Sequence, residues 1–321
     1  MAEVKPPSRS TLNGDRQVTR YILGRLLQAI VGIFFITTLV FLLVRLTGDP
    51  SAILVSDFAP IDVQDRIRER LGLDRSLLEQ YGAYMGGLVR GDLGDSFSGR
   101  PVVDILAQYL PATASLAAVA MALTLLVAVP LGILSAVYRG TWVDTVARAV
   151  ALFGQSVPSF WLAIVLVLLF AVVLGLLPVA YRSGPESYIL PAVAMGWAAV
   201  AGIVRLIRSS MLDVLDSDYV RMARAKGMPP RIVVVKHALR SALIPVLTFT
   251  GLVLASFMNG SVVVESVFAW PGIGTMTLDA VSGRDFPVVQ GAVIMIAVFF
   301  IVINLLVDIL YAFVDPRIRY R

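Results

Sequence analysis

Six apolar blocks, each close to the length that crosses a bilayer, constrain this 321-residue chain more than any other feature. A membrane-spanning helix needs roughly 20 apolar residues. Lipid offers no partners to backbone amides, so a long lipid-solvated segment satisfies them within itself, as a helix does. The blocks are Leu26 to Val44, Thr113 to Tyr138, Ala149 to Leu177, Ile189 to Ile207, Leu243 to Val264 and Val288 to Val314. Pro111 sits where a helix tolerates proline, at the start of the second block. Pro130 and Pro158 fall inside predicted helices, and Pro191, Gly196 and Gly202 interrupt the fourth block. Charged residues make up 15% of the chain, against about 25% in soluble domains. The expected fold class is an all-α polytopic membrane protein of six transmembrane helices.

Charge then orients the expected bundle. The N-terminal tail, the second and fourth loops and the C-terminus lie on one side and carry 18 Lys and Arg residues. The other side carries about half as many, most of them in one long loop, where the positive-inside rule is weak. Both termini are therefore expected in the cytoplasm. Residues 1–19 read as a disordered tail, rich in polar residues with Pro6 and Pro7. The first block is too long for a cleavable signal and lacks a small-residue cleavage site. Residues 20–110 hold the first span and an external helical insertion. Within that insertion Asp62 to Leu71 and Leu77 to Val89 are predicted helices, and Gly91, Gly94 and Gly99 mark turns. It reads equally as a structural cap or as part of a docking surface for an external partner. Residues 111–321 form a five-helix core with a basic loop at 205–240.

Several chemistries lack their residues. The chain has no cysteine and one histidine, His237, which excludes disulfides, thiolate metal sites and a His-rich metal site within one chain. There is no phosphate-binding Gly-x-x-x-x-Gly-Lys-Ser/Thr loop and no His-Glu-x-x-His or Gly-x-Ser-x-Gly motif. No catalytic, cofactor or metal residue is expected in this chain.

The basic loop has more structure than topology demands. Asp216, Ser217 and Asp218 form a helix start, with short polar caps and negative charge at the N-terminus. Leu215, Tyr219 and Met222, with Ala223 beside them, fall on one narrow apolar face, and Arg221 and Arg224 on another. Gly227 is a C-terminal stop, and Pro229-Pro230 prevents continuation. A short rigid helix over 216–226 suits the groove of another protein better than a lipid surface.

Here the residues resemble a family. Asp218-Tyr219-Val220-Arg221-Met222-Ala223-Arg224-Ala225-Lys226-Gly227, followed by His237-Ala238-Leu239-Arg240-Ser241-Ala242-Leu243-Ile244-Pro245, is similar to the coupling loop of binding-protein-dependent ABC importer permeases. The resemblance is specifically to the dipeptide, oligopeptide and nickel permease subfamily. Further stretches match in order along residues 20–321. They include Gly48-Asp49-Pro50, Gly91-Asp92-Leu93-Gly94-Asp95-Ser96, Leu110-Pro111-Ala112-Thr113, Glu265-Ser266-Val267-Phe268-Ala269-Trp270-Pro271-Gly272-Ile273-Gly274 and Arg284-Asp285-Phe286-Pro287. Arg221, Met222 and Arg240 depart from the general permease pattern, as members of the subfamily often do.

The resemblance implies a type I importer permease fold in a bacterial inner membrane. It implies a second, homologous permease subunit, two ATPase subunits that carry ATP and Mg, and an external substrate-binding protein. No nucleic acid is implied. Asp216, Asp218, Tyr219, Arg221, Met222, Ala223, Arg224 and Gly227 would then form the ATPase-coupling element. Ser256, Asn259, Glu265 and Trp270 are candidates for the path or its external gate. The implied substrates are peptides, with nickel chelates, glutathione or another small solute as alternatives. A reading of another class, an intramembrane enzyme using Glu265 and Asp308, requires those two acids to converge.

Overall fold

A computed structural model of the chain describes residues 9–46, 73–179 and 184–314, and Glu69. The predicted helix Asp62 to Leu71 and the Gly48-Asp49-Pro50 stretch lie outside the described residues, save for Glu69. Helix α1 runs Arg9–Leu46. It begins ten residues before the predicted end of the disordered tail, although Ser10, Thr11, Asn13, Gly14 and Asp15 are weak helix formers. Its Leu27, Ile30 and Phe34 side is exposed, and Val40 and Phe41 are buried.

Helix α2, Leu77–Val89, has the predicted bounds. A capping box starts it: the Ser76 amide donates to Glu79 Oε2 (3.0 Å) and the Glu79 amide to Ser76 Oγ (3.4 Å). It lies against α1, with the Tyr81 hydroxyl 2.7 Å from Thr38 Oγ1 and the Phe41 ring 5.3 Å from the rings of Tyr81 and Tyr84.

Helix α3 covers Val102–Val137, and its 36 residues extend about 54 Å. It starts eleven residues before Thr113, so Pro111 is inside it rather than at its start. The third predicted span is not one helix. Helix α4 (Trp142–Ser156) and helix α5 (Ser159–Leu166, continued by a π-helix Val167–Val173) meet at 102°. Pro158 is the cause: it lacks an amide donor and holds Val157 extended, at φ −95° and ψ 118°.

Helix α6, Ile189–Leu215, begins as predicted and continues eight residues past Ile207, so the first part of the predicted basic loop, residues 205–215 with Arg205 and Arg208, belongs to this helix and the loop itself starts at Asp216. It is the most enclosed span, packed on α3 and α4. Its interrupting Gly196 is a contact point: a Cβ there would collide with Thr124 Oγ1 of α3. Helix α7 is Asp218–Ala225. A turn of helix at Pro230–Ile232 and a π-helix at Val233–Leu239 lead into α8, Arg240–Val267, with a 52° bend at Pro245. Helices α9 (Ile273–Ser282) and α10 (Phe286–Val314) complete the described chain.

Among the described residues four helices are long and apolar enough to cross a membrane, or up to six if each bent pair is one span. Among the described residues there is no strand, only an isolated bridge between Asp95 and Pro101. Apolar packing forms three clusters. One holds Val102, Leu106, Ile273 and Val288 at the end of the bundle near α9. A central one includes Leu116, Met195 and Phe257. The third, at the opposite end, contains Ile207, Met211, Val220, Ala223 and Val233.

Candidate functional site

Helix α7 projects from the end of α6 and is held by a small buried face. Val220 and Ala223, three residues apart, pack among Met211, Leu215, Val233 and Ala242. Full burial of a valine contributes about 1.5 kcal/mol or more. The predicted apolar face divides here: Leu215 is buried as part of α6, while Tyr219 and Met222 are 47% and 61% exposed. The predicted cap is also redistributed. Ser217 is the N-cap residue and Asp218 the first residue of α7, whereas Asp216 ends α6 and pairs with Arg139 at 3.5 Å. Gly227 terminates the element at φ +73°, in the left-handed region that favours glycine. The outer surface therefore presents Asp218, Tyr219, Arg221, Met222 and Arg224, and Ala223 serves the inner contact.

Asp144 anchors this end of the bundle. Its side chain is 2% exposed and accepts four short hydrogen bonds. Ser135 Oγ donates at 2.7 Å, the Gly140 amide at 3.0 Å, and the Arg208 guanidinium grips both oxygens at 2.7 and 3.0 Å. One carboxylate thus joins α3, the following turn, α4 and α6. Arg139 of that same turn reaches Asp216, and the Tyr219 hydroxyl donates to Ser241 Oγ at 3.3 Å. Helix α7 is tied to three neighbouring elements at its base and open on its outer side.

The opposite end holds a second buried carboxylate. Glu265 is fully buried and accepts from Thr113 Oγ1 (2.7 Å) and the amides of Gly274 (2.7 Å) and Thr275 (3.2 Å). Thr113 in turn accepts from the Ile273 amide at 2.8 Å. Together they satisfy the first amides of α9, whose N-cap residue, Gly272, has no side chain to do so. Trp270 is buried beside them and donates from Nε1 to the Ala112 carbonyl at 3.0 Å. A Cβ on Gly272 or Gly274 would collide with the Glu265 carboxylate. The Trp270-Pro271-Gly272-Ile273-Gly274 stretch is thereby wired to Leu110-Pro111-Ala112-Thr113.

Three of the four path or gate candidates have side chains among the described residues. Glu265 and Trp270 are interior, Ser256 is exposed on α8 and bonds the Val253 carbonyl at 2.7 Å, and the side chain of Asn259 lies outside the described residues. Glu265 and Asp308 are also far apart. Glu265 supports α9 near the start of α10, whereas Asp308 lies 22 residues along α10, about 33 Å from its first residue. The acid–base pair required by the enzyme reading is not assembled.

Two other stretches singled out by sequence meet. Asp285 accepts from Ser96 Oγ at 2.5 Å and from the Phe97 amide at 3.3 Å. Sequence reasoning missed Asp144 as the anchor. Its signal was present, as the single acid between Tyr138 and Ala151, just after Gly140 and among Arg139, Arg148 and Arg208.

Comparison with known proteins follows the same lines. Residues 128–320 match the family model described as binding-protein-dependent transport system inner membrane component. Residues 18–117 match the family model described as the N-terminal part of the binding-protein-dependent transport system membrane component. The chain is 42% identical over 303 residues to the glutathione transport system permease protein GsiC of Escherichia coli, covering 94% of this chain and 99% of that protein. It is 42% identical over 313 residues to a putative peptide transport system permease protein of Brucella abortus, covering 94% and 100%. In structure it resembles the MetNI methionine ABC transporter in inward-facing conformations, with a TM-score of 0.57 at 18% identity, over 66% of this chain and 96% of that one.

Proposed function

Because the chain belongs to the family of binding-protein-dependent transport system inner membrane components, we propose that it forms half of the translocation path of an ATP-driven peptide importer and couples to a cytoplasmic ATPase through α7. The observation that carries the coupling role is the division of α7: an inner face bound to its own chain and an outer face of mixed apolar and charged side chains. A rigid attachment transmits displacement, and an exposed Tyr–Met–Arg surface suits a protein groove. ATP and Mg belong to two separate ATPase subunits. A second, homologous permease completes the path, and an external binding protein delivers the substrate. The chain lies in a bacterial inner membrane with both termini in the cytoplasm, which the distribution of Lys and Arg supports. The similarity to permeases named for glutathione and for peptides supports a substrate with a peptide backbone and free carboxylates.

Reconstitution tests this reading. Uptake by the complete assembly should require the ATPase and ATP. Gly227→Pro cannot adopt φ +73° and should abolish coupled uptake while the chain still inserts in the membrane. Undiminished ATP-driven uptake by that variant would count against α7 as the coupling element.

A further inference from the structure

We propose that Arg205, held by Gln155, is a carboxylate-binding station within the membrane-spanning part of the chain, taking the carboxylate of the transported peptide. The inference rests on the reading of the chain as a peptide importer permease and adds a residue and a ligand group to it.

Arg205 lies sixteen residues from the start of α6 and ten from its end, about 24 Å and 15 Å along the axis. Arginines near helix ends ordinarily extend toward the closer membrane surface. This one is held the other way. Helix α4 runs antiparallel to α6, with Asp144 beside Arg208 and Gly154 beside Ala201 and Trp197. Gln155 follows Gly154, so it stands level with the middle of α6. The bond from Arg205 Nη1 to Gln155 Oε1, 2.5 Å long, draws the guanidinium back along α6 toward that middle.

The surroundings of Arg205 are suited to water rather than lipid. The uncovered stripe of α6 is Ala198, Arg205, Ser209 and Asp213, all on one face at spacings of seven, four and four. The exposed large apolar side chains of the neighbouring α4 are Trp142, Val146, Leu152 and Phe153, with Leu152 one turn before Gln155. Charged side chains in spanning helices face a bundle interior or an aqueous cavity. Irregular backbone at membrane depth is tolerated in such places too, and the break at Ser156–Pro158 adjoins Gln155.

The chemistry selects a carboxylate. A guanidinium has five N–H donors in a planar fork, and one is used by Gln155. The others can grip both oxygens of a carboxylate, and the Gln155 amide keeps its own donors beside them. Peptides offer this group at the C-terminus and on acidic side chains.

The test uses the complete assembly with its ATPase and binding protein. Uptake of a tripeptide with neutral side chains is compared with that of its C-terminal amide, in the parent chain and in Arg205→Gln, Arg205→Lys and Gln155→Ala. Preferences of the binding protein cancel when each variant is divided by the parent. Arg205→Gln should lower kcat/KM for the free acid about tenfold or more, the usual worth of a charged hydrogen bond, and leave the amide within about twofold. Arg205→Lys should recover part of the loss. A second readout needs no amide: the chain has no cysteine, so Arg205→Cys carries its sole thiol. A water-soluble trimethylammonium thiol reagent should label it and restore acid uptake, and a sulfonate reagent should label it without restoring uptake. Equal losses for acid and amide, or a thiol that neither reagent reaches, would overturn the station. If the parent assembly moves no peptide with ATP, the importer reading itself fails.

Discussion

Replacing Asp144 with Asn should loosen the junction of α3, α4 and α6 by a measurable amount. The substitution keeps the shape and removes the charge. It leaves Arg208, whose side chain is 23% exposed, without its counter-ion, and it turns one of two acceptor oxygens into a donor facing a donor. Removing one partner of a fully buried pair costs about 3–5 kcal/mol. Water still reaches part of Arg208, which puts the expected cost at the low end, about 3 kcal/mol. That is a factor of more than 100 in an unfolding equilibrium. The assay is denaturant unfolding in detergent of the parent chain, Asp144→Asn, Arg208→Gln and the double variant. The two single losses should overlap, with the double variant more stable than their sum predicts by about 1.5 kcal/mol or more. Two small, additive effects below about 1 kcal/mol each would refute the claim that the Asp144–Arg208 pair holds α3, α4 and α6 together.

Three further outcomes are expected. Glu265→Gln should destabilise the start of α9 by about 2–3 kcal/mol, because an amide cannot accept on both oxygens from Thr113, Gly274 and Thr275, and protection of the α9 amides from hydrogen exchange should fall. The Ser76 hydroxyl and amide hold the Glu79 carboxyl below its ordinary range. The capping box is therefore fully effective above the unfolded-state pKa of about 4.3 and is lost as pH falls through the lower folded value, which amide exchange at the start of α2 would follow. Gly227→Ala should cost roughly 1 kcal/mol through strain alone, since open space surrounds the position, and should reduce coupled uptake far less than Gly227→Pro.

The spans were legible because lipid solvation writes length and hydropathy directly into sequence. Helix α7 was legible for a local reason: Ser217, Asp218 and Gly227 announce its ends within a few residues. What escaped depends on contacts between distant segments. Pro158 falls inside a predicted helix, yet it holds Val157 extended and the chain turns there by 102°. Periodicity groups Tyr219 and Met222 with Leu215, but the α6–α7 junction leaves Leu215 buried and the other two exposed. Glu265 is a gate candidate in sequence because a carboxylate beside an apolar run is a functional suspect. Its partners, Thr113 and the amides of Gly274 and Thr275, come together only in the folded chain, and they give it the place of a helix cap.

Protection of a single thiol by the ATPase tests the coupling role most directly. The chain lacks cysteine, so Met222→Cys on the outer face of α7 and Leu77→Cys on α2 can each be labelled alone. Adding the partner ATPase should block labelling at position 222 and leave position 77 unchanged. Equal labelling at 222 with and without a bound ATPase would contradict α7 as the docking element.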